Sequence, residues 1–210
     1  MRLPLITRSL LCRFLGHSDV RRWSYGEEFL PEWEDRTRQL ARLVPPGSHV
    51  LEFGAGRCTL EKYLPPGCRY VPSDLVSRGP DTFVCDLNRR PLPDLAGLGV
   101  DTAVFGGVLE YVQDLPELVN WLSAYIVRSI ASYECAQPQS TTWQRLRQVV
   151  LRSRAGWVNT FQEEELVSLF QTRGLRLVHR DVWRTHDGDE PVFVFQKLCR
   201  SGCLLNQCRS

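Results

Sequence analysis

The first candidate for a functional site in this sequence is an acid followed by two closely spaced glycines, in the run Glu52-Phe53-Gly54-Ala55-Gly56. Glycines at the end of a strand let a ligand approach the backbone closely, and the start of the following helix offers free N–H groups. The run therefore predicts a site for a nucleotide-like ligand formed by Glu52, Gly54, Ala55 and Gly56. A tight strand-to-helix turn without any ligand is the alternative explanation.

Two further acids, Asp74 and Asp86, follow the next two predicted strands. A carboxylate after the second strand can accept both ribose hydroxyls of a nucleoside, whereas it would repel a phosphate there. The dinucleotide fingerprint also needs a third glycine where this chain has Thr59, and Glu52 would repel an incoming pyrophosphate. The acids therefore favour a cationic ligand without phosphate, such as a sulfonium nucleoside with an amino-acid tail.

The elements that must position these acids alternate between short apolar strands and amphipathic helices. Strand patterns cover residues 49–53, 70–73, 82–85, 102–105, 129–133, 175–183 and 192–196. Helical spacing predicts helices over 30–44, 59–64, 114–122 and 160–173, the last two opened by capping boxes of Asp114 with Glu117 and of Thr160 with Glu163. This alternation predicts an α/β fold with a doubly wound, mostly parallel seven-stranded sheet and a C-terminal antiparallel hairpin.

Four segments carry a resemblance to a known family: Glu-Phe-Gly-Ala-Gly (52–56), Pro-Ser-Asp-Leu (72–75), Val-Cys-Asp-Leu-Asn (84–88) and Phe-Gly-Gly-Val-Leu-Glu-Tyr-Val (105–112). They resemble the motifs of the class I S-adenosylmethionine-dependent methyltransferases, a family with a seven-stranded, Rossmann-like fold. The similarity spans about residues 28–197 and departs from the family at Cys58, where many members have glycine.

The resemblance implies S-adenosylmethionine as the cofactor and assigns it a set of binding residues. The glycine turn would hold the methionine part of the cofactor. Asp74 and Leu75 would lie at its ribose, and Asp86 and Leu87 would lie at its adenine. Gly106, after the fourth strand, would lie beside the cofactor. It also implies an enzyme, a methyltransferase that acts on a small-molecule acceptor. Because a sulfonium is already a good leaving group, in-line positioning supplies much of the rate acceleration and few side chains are needed.

A general base would help only where the acceptor is a hydroxyl or a protonated amine. The candidate bases are Tyr25, Glu110, Tyr111, Tyr133 and His186. Glu110 and Tyr111 could equally be core and rim residues of a one-turn helix. Two other function classes stay open: a cofactor-binding module that has lost catalysis and acts through a protein partner, and a nicotinamide-dependent oxidoreductase, which the missing third glycine disfavours.

Residues 137–159 form a longer connection than a strand-to-helix link needs, and such insertions are often lids or binding elements. On a helical wheel, apolar residues share one face, Arg147 and Arg154 flank it, and Arg145 and Arg152 point outward. Guanidinium groups fit carboxylate or phosphate, so Arg147 and Arg154 predict an anionic or sugar-like acceptor. A helix with a solvated basic face, or one that contacts a membrane surface or a partner, is the alternative.

The composition limits the class of protein. With 210 residues, 43% of them apolar, and a net charge of +2, the chain predicts one globular domain between a leader over 1–27 and a tail over 198–210. It has too little positive charge for a nucleic-acid binder, and it lacks the run of ~20 apolar residues that spans a membrane. Its eight cysteines are scattered without a zinc spacing. We therefore expect no metal, a reducing cytoplasm, and a monomer or homodimer.

Overall fold

A computed structural model of the chain describes residues 18–24, 32–137, 142–154, 156–184 and 188–198. Most of the predicted leader and tail, together with the candidate bases Tyr25 and His186, lie outside these residues. The described residues form a mixed sheet with helices on both faces.

Among the described residues, seven strands form one sheet. They are β1 (His49–Phe53), β2 (Arg69–Asp74), β3 (Phe83–Val84), β4 (Thr102–Gly106), β5 (Arg128–Ser132), β6 (Leu175–Arg184) and β7 (Asp189–Lys197). Their order is β3-β2-β1-β4-β5-β7-β6, in which β1 to β5 are parallel and β7 runs antiparallel between β5 and β6. This confirms the mostly parallel sheet with a C-terminal hairpin. The strand order reverses between β1 and β4, where open sheets of this kind bind ligands.

Five α-helices and three short 3-10 turns are present in the part of the chain that the structure describes. The helices are α1 (Val20–Trp23), α2 (Trp33–Arg42), α3 (Leu115–Tyr125), α4 (Thr142–Arg154) and α5 (Glu163–Gln171). The 3-10 turns are Leu60–Tyr63, Ala96–Leu98 and Leu109–Tyr111. The helix predicted over 59–64 is therefore a single 3-10 turn. The predicted cap of α3 is confirmed, because the Asp114 carboxylate accepts the N–H of Glu117 at 2.9 Å.

Helix α5 begins later than the sequence predicts. The predicted capping box at Thr160 is wrong, because the Glu165 carboxylate instead accepts the N–H of Gln162 at 2.8 Å. The chain before α5 stays extended, since Phe161 donates its N–H to the Tyr133 hydroxyl at 2.9 Å. A tertiary hydrogen bond therefore overrides the local capping signal.

Two apolar clusters cover the two faces of the sheet. On one face, Phe53 of β1 stacks on Phe105 of β4 with ring centroids 4.9 Å apart, and α3 and α5 pack over them. On the other face, Leu40 of α2 packs against Val50 of β1. Successive residues of a strand point to opposite faces, so Glu52 lies on the face that α2 covers.

The packing of α5 on β7 predicts a large loss of stability for Phe170→Ala. Phe170 is fully buried and stacks on Phe195 with ring centroids 4.0 Å apart. Removal of the ring should lower the free energy of unfolding by about 3–5 kcal/mol, because apolar burial is lost and a cavity remains. Urea denaturation measures this change. Val178→Ala, at an exposed position on β6, should change it by less than about 0.5 kcal/mol, and equal losses in both variants would contradict the packing.

Candidate active site

A cavity of about 330 Å³ lies at the carboxyl ends of β1, β2 and β4. This volume is within the range of roughly 300–1,000 Å³ that is typical of ligand pockets. Asp86, Tyr133 and Arg147 are described residues that lie outside its wall. The wall includes all the other described candidates for cofactor binding and for the base: Glu52, Gly54, Ala55, Gly56, Asp74, Leu75, Leu87, Gly106, Glu110 and Tyr111.

The turn after β1 requires glycine at its first position. Gly54 has a φ of +69°, and a Cβ placed there would lie 2.5 Å from Cγ2 of Val108. Gly56 also has a positive φ, of +53°, and Ala55 between them donates its N–H to the Ser73 carbonyl at 2.9 Å. The turn is therefore tied to β2 and leaves no space for a side chain where it faces the segment after β4.

Cys58 adopts the left-handed conformation, with a φ of +54°. This conformation costs a residue with a Cβ about 1–2 kcal/mol. The position at which the sequence departs from the family pattern therefore keeps the backbone conformation that glycine adopts more easily.

Glu52 lies behind the glycine turn. It is 7% exposed and accepts a short hydrogen bond from the Tyr70 hydroxyl. Burial, with a smaller contribution from the charge of Asp74, raises the pKa of Glu52 to about 8, against the opposing effects of Tyr70 and of Arg36. Such a carboxyl is protonated at neutral pH until a cation approaches it.

Asp74 is held by the glycine turn and by an arginine. Its Oδ2 accepts the N–H of Gly56 at 3.0 Å and lies 3.1 Å from Nε of Arg78, whose Nη2 donates to Oδ1 at 3.2 Å. Arg78 also donates to the Trp23 carbonyl at 2.5 Å. Val76 donates its N–H to Oδ1 of Asp74 at 3.4 Å. The carboxylate is thus fixed at the cavity wall by two backbone N–H groups and by Arg78.

The segment around α1, which the sequence analysis assigned to a leader, covers part of the cavity. Ser18 donates its hydroxyl to Asp86 at 2.6 Å and accepts the amide of Asn88 at 2.9 Å. The Trp23 ring meets the Tyr111 ring edge-on, with centroids 5.2 Å apart. Asp86 therefore anchors this segment, and its role at the adenine stays a prediction. A short polar segment carries no sequence pattern that could have shown this contact.

The other end of the cavity is built around Arg36 of α2, which the sequence analysis missed. Its Cζ lies 5.3 Å from the Trp33 ring centroid and 5.2 Å from the Trp183 ring centroid. Its Nη1 lies 3.3 Å from Oε1 of Glu190, and its Nη2 donates to the Gly106 carbonyl at 3.0 Å. These residues come from α2, β4, β6 and β7, so no local spacing could have grouped them.

Glu110 lies at this end of the cavity. It is 2% exposed, and its Oε1 accepts the N–H of Glu134 at 2.8 Å. Burial, followed by the charge of Glu190, raises the pKa of Glu110 to about 7. Burial also raises the pKa of the neighbouring Tyr111 to about 12, so this phenol keeps its proton near neutral pH.

Tyr133 is buried outside the cavity wall. Its hydroxyl donates to Oδ1 of Asn159 at 2.6 Å and accepts the N–H of Phe161 at 2.9 Å, and burial raises its pKa. These contacts fix the chain that leads into α5. A role for Tyr133 as a base stays a prediction.

Helix α4 turns a different face to the protein than its helical wheel predicts. Arg152, predicted to point outward, is 5% exposed, because its guanidinium donates to a backbone carbonyl at 2.7 Å and lies 4.6 Å from the Trp157 ring centroid. The apolar stripe is exposed instead, Trp143 by 78%. Arg147 is exposed, and the side chain of Arg154 lies outside the described residues. Their binding of an acceptor stays a prediction.

The described residues contain no group of three or more His, Cys, Asp or Glu side chains that could hold a metal ion. The described cysteines, Cys58, Cys68, Cys85 and Cys135, are free thiols. Within the described part of the chain, no helix is both long and apolar enough to cross a bilayer.

A family model described as a methyltransferase domain matches residues 23–180, whereas no curated protein matches the sequence. Among solved structures, the chain is similar to the mitomycin 7-O-methyltransferase MmcR, with 16% identity and a TM-score of 0.60 over 92% of this chain and 66% of that one. It is also similar to the 1,6-didemethyltoxoflavin-N1-methyltransferase of Burkholderia thailandensis, with 18% identity and a TM-score of 0.59 over 94% of this chain and 93% of that one. A third similar structure is the N-methyltransferase NodS of Bradyrhizobium japonicum, with 17% identity and a TM-score of 0.59 over 84% of this chain and 95% of that one. The latter two structures contain S-adenosylhomocysteine. At these sequence identities, the structural similarity establishes the fold alone.

The glycine turn predicts the effect of Gly54→Ala. The new methyl group would meet Val108 in a backbone conformation that disfavours a Cβ, so the free energy of unfolding should fall by more than about 1 kcal/mol. Thermal unfolding measures this, and Val108→Ala in the same chain should recover part of the loss. Gly79→Ala, where a Cβ meets open space, should change stability by less than about 0.5 kcal/mol. Equal melting temperatures for the Gly54 and Gly79 variants would refute the clash.

Proposed function

The chain belongs to the class I S-adenosylmethionine-dependent methyltransferases, and we propose that it transfers a methyl group from S-adenosylmethionine to a small-molecule acceptor. One observation carries the proposal: the buried acid Glu52 lies behind a glycine turn at a cavity where the parallel strands end. A pyrophosphate would be repelled by that acid once ionised, whereas a cation would be attracted to it. The cavity therefore suits a sulfonium nucleoside better than a nicotinamide dinucleotide.

The residues of the cavity fit this cofactor, which when bound supplies an electrophilic methyl group on a sulfonium. Glu52 would recover its charge beside the cationic groups, and the bare turn at Gly54 would let the amino-acid tail lie close to the backbone. Asp74, already fixed by Gly56, Val76 and Arg78, would accept the ribose hydroxyls in exchange for part of its present contacts. No other described carboxylate is held at the turn by Gly56 in this way.

The adenine end of the cofactor would lie beyond Asp74. Leu75 and Leu87 form part of the wall there and would pack on the ring, while Asp86 would act from just outside the wall. Ala55 and Gly106 would contact the cofactor from the ends of β1 and β4. These assignments are drawn from the family's motifs and from the position of each residue around one cavity.

The acceptor in this proposal is a small molecule. The names of two similar enzymes state mitomycin and 1,6-didemethyltoxoflavin as the molecules they methylate, which supports this class of acceptor. An anionic or sugar-like acceptor held by Arg147 and Arg154 remains the prediction from sequence. Carboxyls such as Glu190 at the far end of the cavity can accept hydrogen bonds from the hydroxyls of a sugar-like molecule.

Calorimetric titration of the purified protein with S-adenosylmethionine, S-adenosylhomocysteine and NAD tests the proposed cofactor. We expect heat of binding with the two S-adenosyl ligands and none with NAD. Absence of binding for both S-adenosyl ligands would refute the proposal. Transfer of a tritiated methyl group to added small molecules then separates an enzyme from a module that binds the cofactor without catalysis.

Replacement of Asp74 should weaken binding of S-adenosylhomocysteine. Asp74→Ala should cost at least ~1 kcal/mol of binding free energy, because a charged acceptor for the ribose hydroxyls is lost, and Asp86→Ala should cost less. Asp74→Asn, which keeps an oxygen for the N–H of Gly56, separates loss of charge from collapse of the turn. Asp81→Ala, at an exposed position, is the control. Parental affinity in a folded Asp74→Ala variant would remove Asp74 from the site.

Binding of S-adenosylhomocysteine below pH 8 should release a proton from Glu52. The free carboxyl has a pKa of about 8 and is protonated below that pH, and the ligand's ammonium would lower this pKa. The affinity should therefore rise with pH and level off above about pH 8. Calorimetry in two buffers of different ionisation enthalpy counts the proton. Glu52→Gln should abolish the proton release, whereas Glu61→Gln, at an exposed position, should keep it. Equal proton release from both variants would contradict the assignment of this proton to Glu52.

A further inference from the structure

The end of the cavity around Arg36, which we call the acceptor end, holds a buried carboxyl with only one of its two oxygens paired among the described residues. Glu110 is 2% exposed, forms part of the cavity wall and uses Oε1 to accept the N–H of Glu134. Its other oxygen, Oε2, is buried and has no hydrogen-bond partner among the described residues. An unsatisfied buried polar group costs about 1–3 kcal/mol, so a proton or a hydrogen-bond donor from a molecule in the cavity would stabilise this oxygen.

The groups around Glu110 include acids and two cations that are held in place, Arg36 and Arg152. Arg36 lies between two tryptophan rings and pairs with Glu190, which is itself buried. Charged and titratable groups surround Glu110 from α2, β7, the chain after β5, α4 and its own turn. They are Arg36, Glu190, Glu134, Cys135, Arg152, Tyr111 and Tyr133. Arg36 pairs with Glu190, and its charge lowers the pKa of Glu110 by less than burial and the charge of Glu190 raise it.

We propose that Glu110 is the catalytic base and that the acceptor is a molecule with a hydroxyl or an amine N–H to deprotonate, an inference that rests on the proposed methyl transfer. In this step the acceptor's oxygen or nitrogen forms a bond to the methyl carbon while the bond from that carbon to sulfur breaks. The electron pair of the broken bond stays on sulfur, giving a neutral thioether. The acceptor's proton moves to Oε2 of Glu110, the oxygen that the Glu134 contact leaves free.

The electrostatics of the site support this role. A base is most effective when its pKa lies near the working pH, and burial raises the pKa of Glu110 to about 7. A carboxylate acceptor has no proton to lose at this pH and would be repelled by both Glu110 and Glu190. The same two acids attract a protonated amine and accept hydrogen bonds from a hydroxyl.

Glu110→Gln is the informative variant, because it removes the ionisable group and keeps an oxygen for the N–H of Glu134. Glu164→Gln, at an exposed position on α5, is the matched control. Both variants should bind S-adenosylhomocysteine within about twofold of the parent. Absence of binding by the parent would refute the proposed function itself. A tenfold loss confined to Glu110→Gln would make Glu110 a cofactor ligand and overturn the inference.

Carbon-13 NMR of glutamate-labelled protein saturated with S-adenosylhomocysteine tests the base directly. We expect a carboxyl that titrates near pH 7 in the parent and in Glu164→Gln, and that is missing from Glu110→Gln. This measurement does not need an acceptor. If the signal assigned to Glu110 titrates below about pH 5, Glu110 is no base near neutral pH and the inference is wrong.

Tritiated-methyl S-adenosylmethionine with phenol, benzyl alcohol, benzylamine and benzoate as probes tests the acceptor class. Label should pass to probes that carry an O–H or N–H at neutral pH and not to benzoate, at a rate that falls as the pH drops below about 7. Glu110→Gln should be slower by about 10²–10⁴-fold, while Glu164→Gln keeps the parental rate. Methylation of benzoate alone, or a parental rate in Glu110→Gln, would overturn the inference. If none of the four probes is methylated, the carbon-13 titration of Glu110 decides whether this carboxyl is a base near neutral pH.

Discussion

A hydrogen bond from the N–H of Gly56 to the carboxylate of Asp74 joins the turn after β1 to the end of β2, and the end of the cavity at the glycine turn depends on it. The same carboxylate pairs with Arg78, which donates to the carbonyl of Trp23 in α1. Two strand ends and the covering segment are therefore connected through one side chain. Parallel strands bring their carboxyl ends to a single edge, so an acid placed there can serve the backbone and a ligand together.

The cavity keeps carboxyls at both ends in places where water does not stabilise their charge. Glu52 and Glu110 are both buried, and in each case burial is the main cause of the raised pKa. A buried carboxyl that stays protonated avoids the cost of an isolated charge. Its charge state then depends on what enters the cavity: a cation beside Glu52 favours its ionisation, and a proton donor beside Glu110 can use it as a base. In the proposed reaction, the two ends would therefore have different roles although they share one type of side chain.

The sequence predicted the part of this site that follows from local rules. Glu52 and Asp74 could be placed because each acid lies where a short apolar strand ends, and parallel strands share that edge. Arg36 and Glu190 could not be placed, because α2 and β7 meet only through the tertiary packing of the sheet. The predicted orientation of α4 was wrong for a related reason. Periodicity shows which residues share a helix face, but the hydrogen bonds of Arg152 decide which face the protein covers.

The paired glycines after β4 show how packing and electrostatics are linked at the acceptor end. The sequence motif associates Gly106 with the cofactor, yet Gly107 has a φ of +67° and a Cβ there would lie 2.5 Å from Nη1 of Arg36. Glycine at this position therefore leaves the space that the guanidinium occupies between Trp33 and Trp183. Arg36 is held before any ligand arrives, and its charge acts on the carboxyls at both ends of the cavity. A charge fixed in advance does not have to reorganise when charge develops nearby. In the proposed reaction, the missing side chain at Gly107 would therefore matter through the position that it allows Arg36 to take.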